Sequence, residues 1–399
     1  MPRRTGGFIG HRGLQAPDPP TAVTPTAGDA QLSVAFTAPS DVGDDAITAF
    51  VATTNDGFGA TGSSSPLVIT SLTNATDYTV RVFAINDYGT SAPSVASSTI
   101  APVAAPRALF AGGGGANTID YVTIGTTGNA TDFGDLSVTP TNGGSGSSVT
   151  RAVFGGQNED NARIDTVEIN TTGNATDFGD LTQSRKYAAG LSNLTRAIFA
   201  MGKFQPGSPF SDVIDYITIA SAGNATDFGD TLAAQYGGGS GAGSSTRGIF
   251  AGGQDTNNAS SVTNVMQYVT IASTGDATDF GDLTLARRHP AAVSSSTRAV
   301  WGGGRNSSNA NVDVMDYVTI GSTGNATDFG DLATGGANQN EGTGSSTRGL
   351  FGPSQLSGAT VQVDYITIGT TGNSTTFGNL TSSDRYGASA ASNDHGGLQ

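Results

Sequence analysis

The feature that most constrains the fold is a unit that recurs six times between Arg107 and the C-terminus. It reads Thr-Arg-Ala-Val-Phe-Gly-Gly, a loop of variable length, then Asp-Tyr-Val-Thr-Ile-Gly-x-Thr-Gly-Asn-Ala-Thr-Asp-Phe-Gly-Asp-Leu. The anchoring arginines are Arg107, Arg151, Arg196, Arg247, Arg298 and Arg348, so successive units lie 44, 45, 51, 51 and 50 residues apart. β-Branched and aromatic residues dominate each unit, as in Ile119-Asp120-Tyr121-Val122-Thr123-Ile124, and Gly-Asn or Gly-Asp marks the following turn. The Asp-Tyr and Thr-Asp-Phe-Gly-Asp-Leu segments pair as a hairpin across Thr127-Gly128-Asn129. Periodicity of 3.6 residues never extends beyond a turn or two, so the chain is all-β.

A period in this range, built of short strands with Gly-Gly after the first of them, predicts a β-propeller. The spacing locates its loops. From the Asp-Tyr position to the Phe of Asp-Phe-Gly the separation is 13 in every unit, from Asp120 to Phe133 through Asp364 to Phe377. From Arg to the Asp-Tyr position it runs 13, 14, 19, 20, 18 and 16. One connection therefore absorbs nearly all the length change. With four strands per unit running up and down, the variable connection shares a face of the disc with the segment that enters each first strand. That face is expected to meet partners, because a rigid scaffold tolerates change in its binding loops. The uniform face is expected to be structural. After Phe377 the next arginine would fall near position 395 or 396, so Tyr386–Ser392 reads as a first strand without a second. The first unit conversely begins at its second strand. The C-terminal strand is expected to complete the first blade, which removes an open edge and gives six blades.

With a small-residue first strand, a second ending in Gly-Gly, a Tyr in the third and an aromatic in the fourth, the unit resembles a kelch repeat over about three quarters of the chain. Departures are Ala200-Met201-Gly202 and Gly352-Pro353 for Gly-Gly, Phe where kelch has Trp, and Thr166 for Tyr. The wording Thr-Gly-Asn-Ala-Thr-Asp-Phe-Gly-Asp-Leu is similar to repeats of marine bacteriophage virion proteins. That resemblance implies a virion location, several copies per particle, and other virion proteins as partners.

Ahead of the repeats, residues 17–100 resemble a fibronectin type III domain, an immunoglobulin-like sandwich. Pro19-Pro20 stands at the entry, Leu32-Ser33-Val34-Ala35-Phe36 and Val80–Asn86 read as strands, and Tyr78 sits at the tyrosine corner with its hydroxyl returning to backbone upstream. Residues 101–106, Ala-Pro-Val-Ala-Ala-Pro, form a stiff linker to a propeller over 107–399. Residues 1–16 hold charges but no apolar run of signal-peptide length. They read either as a frayed terminus or as an anchoring arm that orders on a partner, with Phe8 and Ile9 buried and Arg3, Arg4 and Arg12 on acidic surface. The opening also resembles that of marine phage structural proteins.

Net charge is −15 with only 13% charged residues, which argues against a general nucleic-acid binder, since phosphate neutralisation needs clustered Lys and Arg. Cysteine is absent, so thiolate chemistry and Cys-type metal sites are excluded. No apolar stretch is long enough to span a membrane. His11, His289 and His395, the three histidines, lie in different elements and assemble neither a Ser-His-Asp triad nor a zinc site. Nothing in the spacing selects Glu159, Asp160 or Glu341 as paired glycosidase carboxylates. Neither catalytic residues, nor metal ligands, nor a cofactor are expected.

One pattern breaks the six-fold repeat. The segments entering the first strands alternate between glycine-rich (142–146, 237–241, 340–344) and basic and bulky: Arg185-Lys186-Tyr187, Arg287-Arg288-His289 and Asp384-Arg385-Tyr386. The propeller is thus three pairs of blades. Arg185, Lys186, Arg287, Arg288 and Arg385 are candidates to ring the axis and bind the carboxylate, sulfate or phosphate groups of a host-surface polysaccharide. The competing reading pairs them with acidic residues of neighbouring blades. Phe204 and Phe210, in the third variable loop, are candidates to stack on sugar rings, and Trp301 is assigned to the core. The function expected is a non-enzymatic virion protein, a capsid decoration or tail appendage, that displays a propeller. The alternative is a secreted or cell-surface carbohydrate-binding module or a glycan-acting enzyme on the same scaffold.

Overall fold

The computed structural model describes residues 14–139, 142–156, 161–204, 210–237, 241–255, 258, 260–334, 341–353, 361–382, 385 and 387–399, with the backbone of 355–356 and 358–359. The anchoring candidates Arg3, Arg4, Phe8, Ile9 and Arg12 lie outside these residues. The chain is all-β and divides into two compact units, Met1–Ala105 and Pro106–Gln399.

The first unit pairs Thr21–Gly28, Gln31–Thr37 and Leu67–Ile69 in one sheet, and Gly59–Gly62, Ala49–Thr54, Val80–Asn86 and Gly89–Thr90 in another. Alternating residues of Gln31–Thr37 and Val80–Asn86 point inward, as strands with one buried face require. Leu32, Val34, Phe36, Phe50, Val80 and Val82 form the core. The Tyr78 hydroxyl accepts from the Thr73 amide at 3.1 Å, the upstream contact expected of it.

Among the described residues the second unit holds six four-stranded antiparallel sheets in succession. Sheet 1 orders Ser389–Ser392, Arg107–Ala111, Thr118–Thr123 and Thr131–Asp135. Its first strand comes from the far end of the chain, Ser389 to Ser392 pairing with Ala111 to Ala108. Sheets 2 to 6 start at Gly144, Ala189, Ala242, Ala291 and Gly342 and run in sequence order, apart from a two-residue hairpin pairing within the second-to-third connection of sheet 6. Each sheet packs on the next. Phe154 of sheet 2 lies with Leu109 and Phe133 of sheet 1, and the cycle ends with Phe110 of sheet 1 against Leu350 and Phe377 of sheet 6. Burial of one such Phe is worth about 1.5–3 kcal/mol. The architecture is propeller-like, with Trp301 fully buried as assigned.

The uniform wording of the repeat is explained by contacts between sheets. The amide of Gly173 donates to Phe133 O at 2.8 Å, and Asn174 Oδ1 accepts from the Asp135 amide at 3.0 Å. The hairpin tip of one sheet thus latches onto the outer strand of the sheet before it. Gly134, at φ 146°, must lack a Cβ, which would sit 2.4 Å from Gly173 O. The same latch recurs to the last junction, where Gly128 N donates to Phe377 O at 3.0 Å and Asn379 N to Asn129 Oδ1 at 3.1 Å.

The anchoring arginines complete this rim. Nη1 of Arg107, Arg151, Arg196, Arg247 and Arg298 reaches the carbonyl of Ile169, Ile219, Ile271, Ile320 and Ile368 on the following sheet, at 2.8–3.3 Å. Arg348 of sheet 6 reaches Ile124 of sheet 1 at 2.8 Å. Five of the guanidiniums also lie 4.4–4.7 Å over the Tyr ring of their own sheet. Where Thr166 replaces that Tyr, Arg151 turns to Glu168 at 3.0 Å.

Candidate functional site

The six first strands surround a central cavity of about 50 Å³ lined by Ser145, Ser147, Ser192, Ser294, Thr343 and His395 among others, room for a water or a few. Strands rich in glycine alternate with bulkier ones. A Cβ on Gly342 would meet Ala292 O at 2.2 Å, and one on Gly144 the backbone of Ala189 at 2.9 Å. Serines tie the strands to their neighbours: Ser192 Oγ donates to Ser147 O at 2.9 Å, Ser294 Oγ to Gly243 O at 2.9 Å, Ser392 Oγ to Gly344 O at 2.5 Å and Ser147 Oγ to Ser392 O at 2.6 Å. The alternation of glycine-rich with bulkier segments is thus carried into the axial strands, while the serine bonds run on from sheet 6 through sheets 1 and 2 to sheet 3 without dividing them into pairs. On the latched rim the turn Gly396–Leu398 closes the cavity. His395 caps that turn, accepting from Gly397 N at 3.1 Å and lying 3.2 Å from Ser192 Oγ. Burial drives the pKa of this imidazole down to about 4.

At the opposite rim the structure corrects the reading of three candidate arginines. Arg185, Arg287 and Arg385 have no exposed surface. Each turns into its own sheet and pairs with the aspartate of the third strand: Arg185 with Asp215 at 3.0 Å, Arg287 with Asp316 at 2.8 Å, Arg385 with Asp120 at 2.9 Å. Arg385 also donates to the carbonyls of Gly112, Phe110 and Thr118. Burial lowers all three guanidinium pKa values and the aspartates oppose the shift. They are framework groups that no glycan reaches, because a buried carboxylate without its cation would be left charged in an apolar interior. Sheets without such an arginine meet the same requirement differently. Asp165 takes Arg163 at 2.8 Å from its own strand, Asp364 takes Gln362 at 2.8 Å, and Gln267 is uncharged.

The residues next to those arginines do form a site. Lys186, Tyr236 and Arg288 are equivalent, each making an isolated bridge at or just past the far end of its second strand, to Lys203, Gln254 and Arg305. The residue after each is left-handed: Tyr187 at φ 60°, Gly237 at 65° and His289 at 55°. Asn142 and Gly387 hold matching left-handed positions at 54° and 72°. Three rings from sheets 3, 4 and 5 meet here. Tyr187 lies 5.4 Å from both Tyr236 and His289, which are 6.1 Å apart. Cations stand over them, with Lys186 Nζ 5.5 Å from the Tyr187 centroid and Lys203 Nζ 5.5 Å from that of Tyr236.

Of the remaining candidates, Lys186 is half-buried at this mouth and belongs to it. Arg288 is 7% exposed and donates to Asn309 Oδ1 at 2.6 Å. Phe210 is a second correction: it is buried, packed 4.7 Å from Tyr236 under Lys203, and so supports a ring instead of presenting one. Phe204 is half-buried at the end of its strand. Lys203, Tyr236 and Arg305 escaped the sequence reading, since each gains meaning only through its bridge to a residue distant in sequence. Burial raises the Tyr236 pKa. Burial, then Arg288 and Arg305, press that of His289 down to about 3, so its imidazole is neutral at pH 7.

No family model and no curated protein matches the chain. Many solved structures match its fold, 250 chains in all. One of them, described as "Structure of YjhT", aligns with TM-score 0.53 and 8% identity over 63% of this chain and 87% of that one. Likeness at that identity concerns the fold alone, and a scaffold used so widely leaves function to its sites.

Proposed function

We propose that this chain is a non-enzymatic structural protein of a phage virion. In this reading a fibronectin type III-like domain carries a six-bladed, kelch-like propeller closed by the C-terminal strand, and the propeller is displayed for contact with the host surface. The observation that carries it is the division of labour between the two rims. At one rim the repeated Arg, Gly and Asn groups are engaged in bonds between sheets. At the other rim lie the strand ends that lead into the irregular connections, with an aromatic cluster among them. A chain that repeats its framework six times while varying one rim is built to present that rim.

The anchoring role belongs to residues 1–16, with Phe8 and Ile9 as apolar plug and Arg3, Arg4 and Arg12 as its charged flank; other virion proteins are the partners. Deleting residues 1–16 is expected to abolish attachment to particles, read by immunogold labelling of purified virions, and to leave the melting temperature of the propeller unchanged. Truncated protein that still decorates particles would show the arm to be dispensable. Absence of the full chain from purified particles would overturn the virion reading itself, in favour of a secreted or cell-surface carbohydrate-binding module.

A further inference from the structure

The sandwich of the first unit has an apolar outer face that its core does not use. Along Ala49–Thr54 the inward residues are Phe50, Ala52 and Thr54, and along Val80–Asn86 they are Val80, Val82, Ala84 and Asn86. The alternate residues point outward and stand in register: Ala49 opposite Ile85, Val51 opposite Phe83 and Thr53 opposite Arg81. An antiparallel sheet with one solvated face carries polar residues on it. Ala49, Val51, Phe83 and Ile85 are instead apolar, half-buried and outside the sandwich core.

The chain enters at one end of that face. The Gln15 amide donates to Asp44 Oδ2 at 2.7 Å, and Asn86 Nδ2, one residue beyond Ile85, donates to Gln15 O at 3.1 Å and to Val42 O at 2.9 Å. Leu14, Val42 and Tyr88 are exposed around this point, and so are Asp18, Asp41, Asp44, Asp45 and Asp87. Residues 14–105 hold eight aspartates and a single basic residue, Arg81, whereas residues 1–13 hold Arg3, Arg4 and Arg12 and no acid. Phe83 lies three residues from Asn86, about 10 Å along its strand. Phe8 precedes Leu14 by six residues, a reach of about 20 Å when extended.

We infer that this face is a docking surface for residues 1–13 of the same chain, which lie outside the described residues. Phe8 and Ile9 pack on Val51, Phe83 and Ile85, and the arginines take the aspartates at the end of the face. Apolar surface thus meets apolar surface, and a basic segment meets the acidic end of the sandwich from which it departs. Such docking keeps Phe8 and Ile9 out of water until a particle takes them; that role alone rests on the virion reading.

The chain has no cysteine, so a nitroxide attached at Thr5→Cys reports on this segment alone. In the full chain the oxidised label is expected to broaden the amide signals of Val51, Phe83, Ile85 and Tyr88 relative to the reduced label. Phe83→Lys changes the outer face and not the core, so it is expected to restore those signals while the melting temperature holds. Added salt is expected to restore them in part, because the arginine contacts are screened. Broadening confined to residues 14–18 overturns the docking, as does broadening that survives Phe83→Lys. Broadening of an isotope-labelled chain by a nitroxide on a second, unlabelled chain would assign the face to another copy's residues 1–13 and overturn the contact within one chain. These outcomes are independent of particle attachment, so the docking and the virion reading can each fail alone.

Discussion

The two rims of the propeller-like unit are made by the same chain and obey opposite rules. At the latched rim a single solution recurs at every junction: hairpin tip onto outer strand, guanidinium onto the next carbonyl. At the mouth, equivalent positions hold Asn142, Tyr187, Gly237, His289 and Gly387, a mixture of residues suited and unsuited to one backbone conformation. Uniformity marks where neighbouring sheets must fit each other. At the mouth the fit is instead settled pair by pair, since a Cβ on Gly237 would run into His289 and one on Gly387 into Asn142. The sharpest form of this contrast lies within single segments of the mouth, where Arg185 is sealed inside its sheet and Lys186, the next residue, is only half-buried.

Removing one of the three framework arginines is the largest expected effect. Arg385→Leu leaves Asp120 fully buried without its cation, at the junction where the C-terminal strand meets sheet 1. Breaking a buried pair from one side costs about 3–5 kcal/mol, so a loss of roughly 10 °C in melting temperature is expected for a unit of this size. A change under about 1 kcal/mol would mean that these pairs are dispensable and that the mouth has no fixed framework of its own.

The sequence made the repeat, the latched rim's structural character and the alternation of basic with glycine-rich segments legible, because each depends on residue identity at fixed spacing. The fixed 13-residue separation is now explained by two constraints on one hairpin: pairing within its sheet and latching to the one before. What stayed hidden was direction. A basic segment shows where the chain carries charge and says nothing of which way a guanidinium turns. The third-strand aspartate gave no sure clue either: Gln267 stands in a sheet without such an arginine, but so do Asp165 and Asp364. The aromatic cluster was less accessible still, since Tyr187, Tyr236 and His289 lie about fifty residues apart and meet only through the ring.

Acid separates the rims by a smaller margin. His395 plugs the latched rim and His289 lines the mouth, with folded-state pKa values of about 4 and about 3 against ~6.5 when unfolded. A histidine whose pKa is depressed by folding contributes its full stability above the unfolded value and loses it as pH falls from there toward the folded one. Each imidazole is therefore expected to cost up to about 1.4 kcal/mol per pH unit between pH 6 and 4. The charged neighbours differ: Arg288 and Arg305 for His289, and Asp394 along the chain for His395. His395→Asn keeps an acceptor for the Gly397 amide and removes the titration, so its melting temperature should fall less between pH 7 and 5 than that of the wild type. Parallel curves would show that the plug is not what acid loosens.

The smallest effect tests whether the latched rim's uniformity is a stability optimum. Sheet 2 departs from it at the ring position, with Thr166 where five sheets have Tyr. In those sheets the Tyr lies under the arginine and meets the Phe of the outer strand edge-on at 5.9–6.0 Å. In sheet 2 Arg151 instead contacts Glu168, which is largely exposed, and such a pair is worth little. Thr166→Tyr would restore the ring beneath Arg151 and against Phe178, gaining about 0.5–1 kcal/mol from the cation and a similar amount from the aromatic contact. It would forfeit the Thr166 hydroxyl's bond to Ala152 O at 2.9 Å, worth about 1 kcal/mol. The net expectation is a gain of up to about 1 kcal/mol, or 2–3 °C in melting temperature. A lower melting temperature would mean that Thr166 and Glu168 form an equally good local solution, and that repetition there records the copying of the unit more than its energetics.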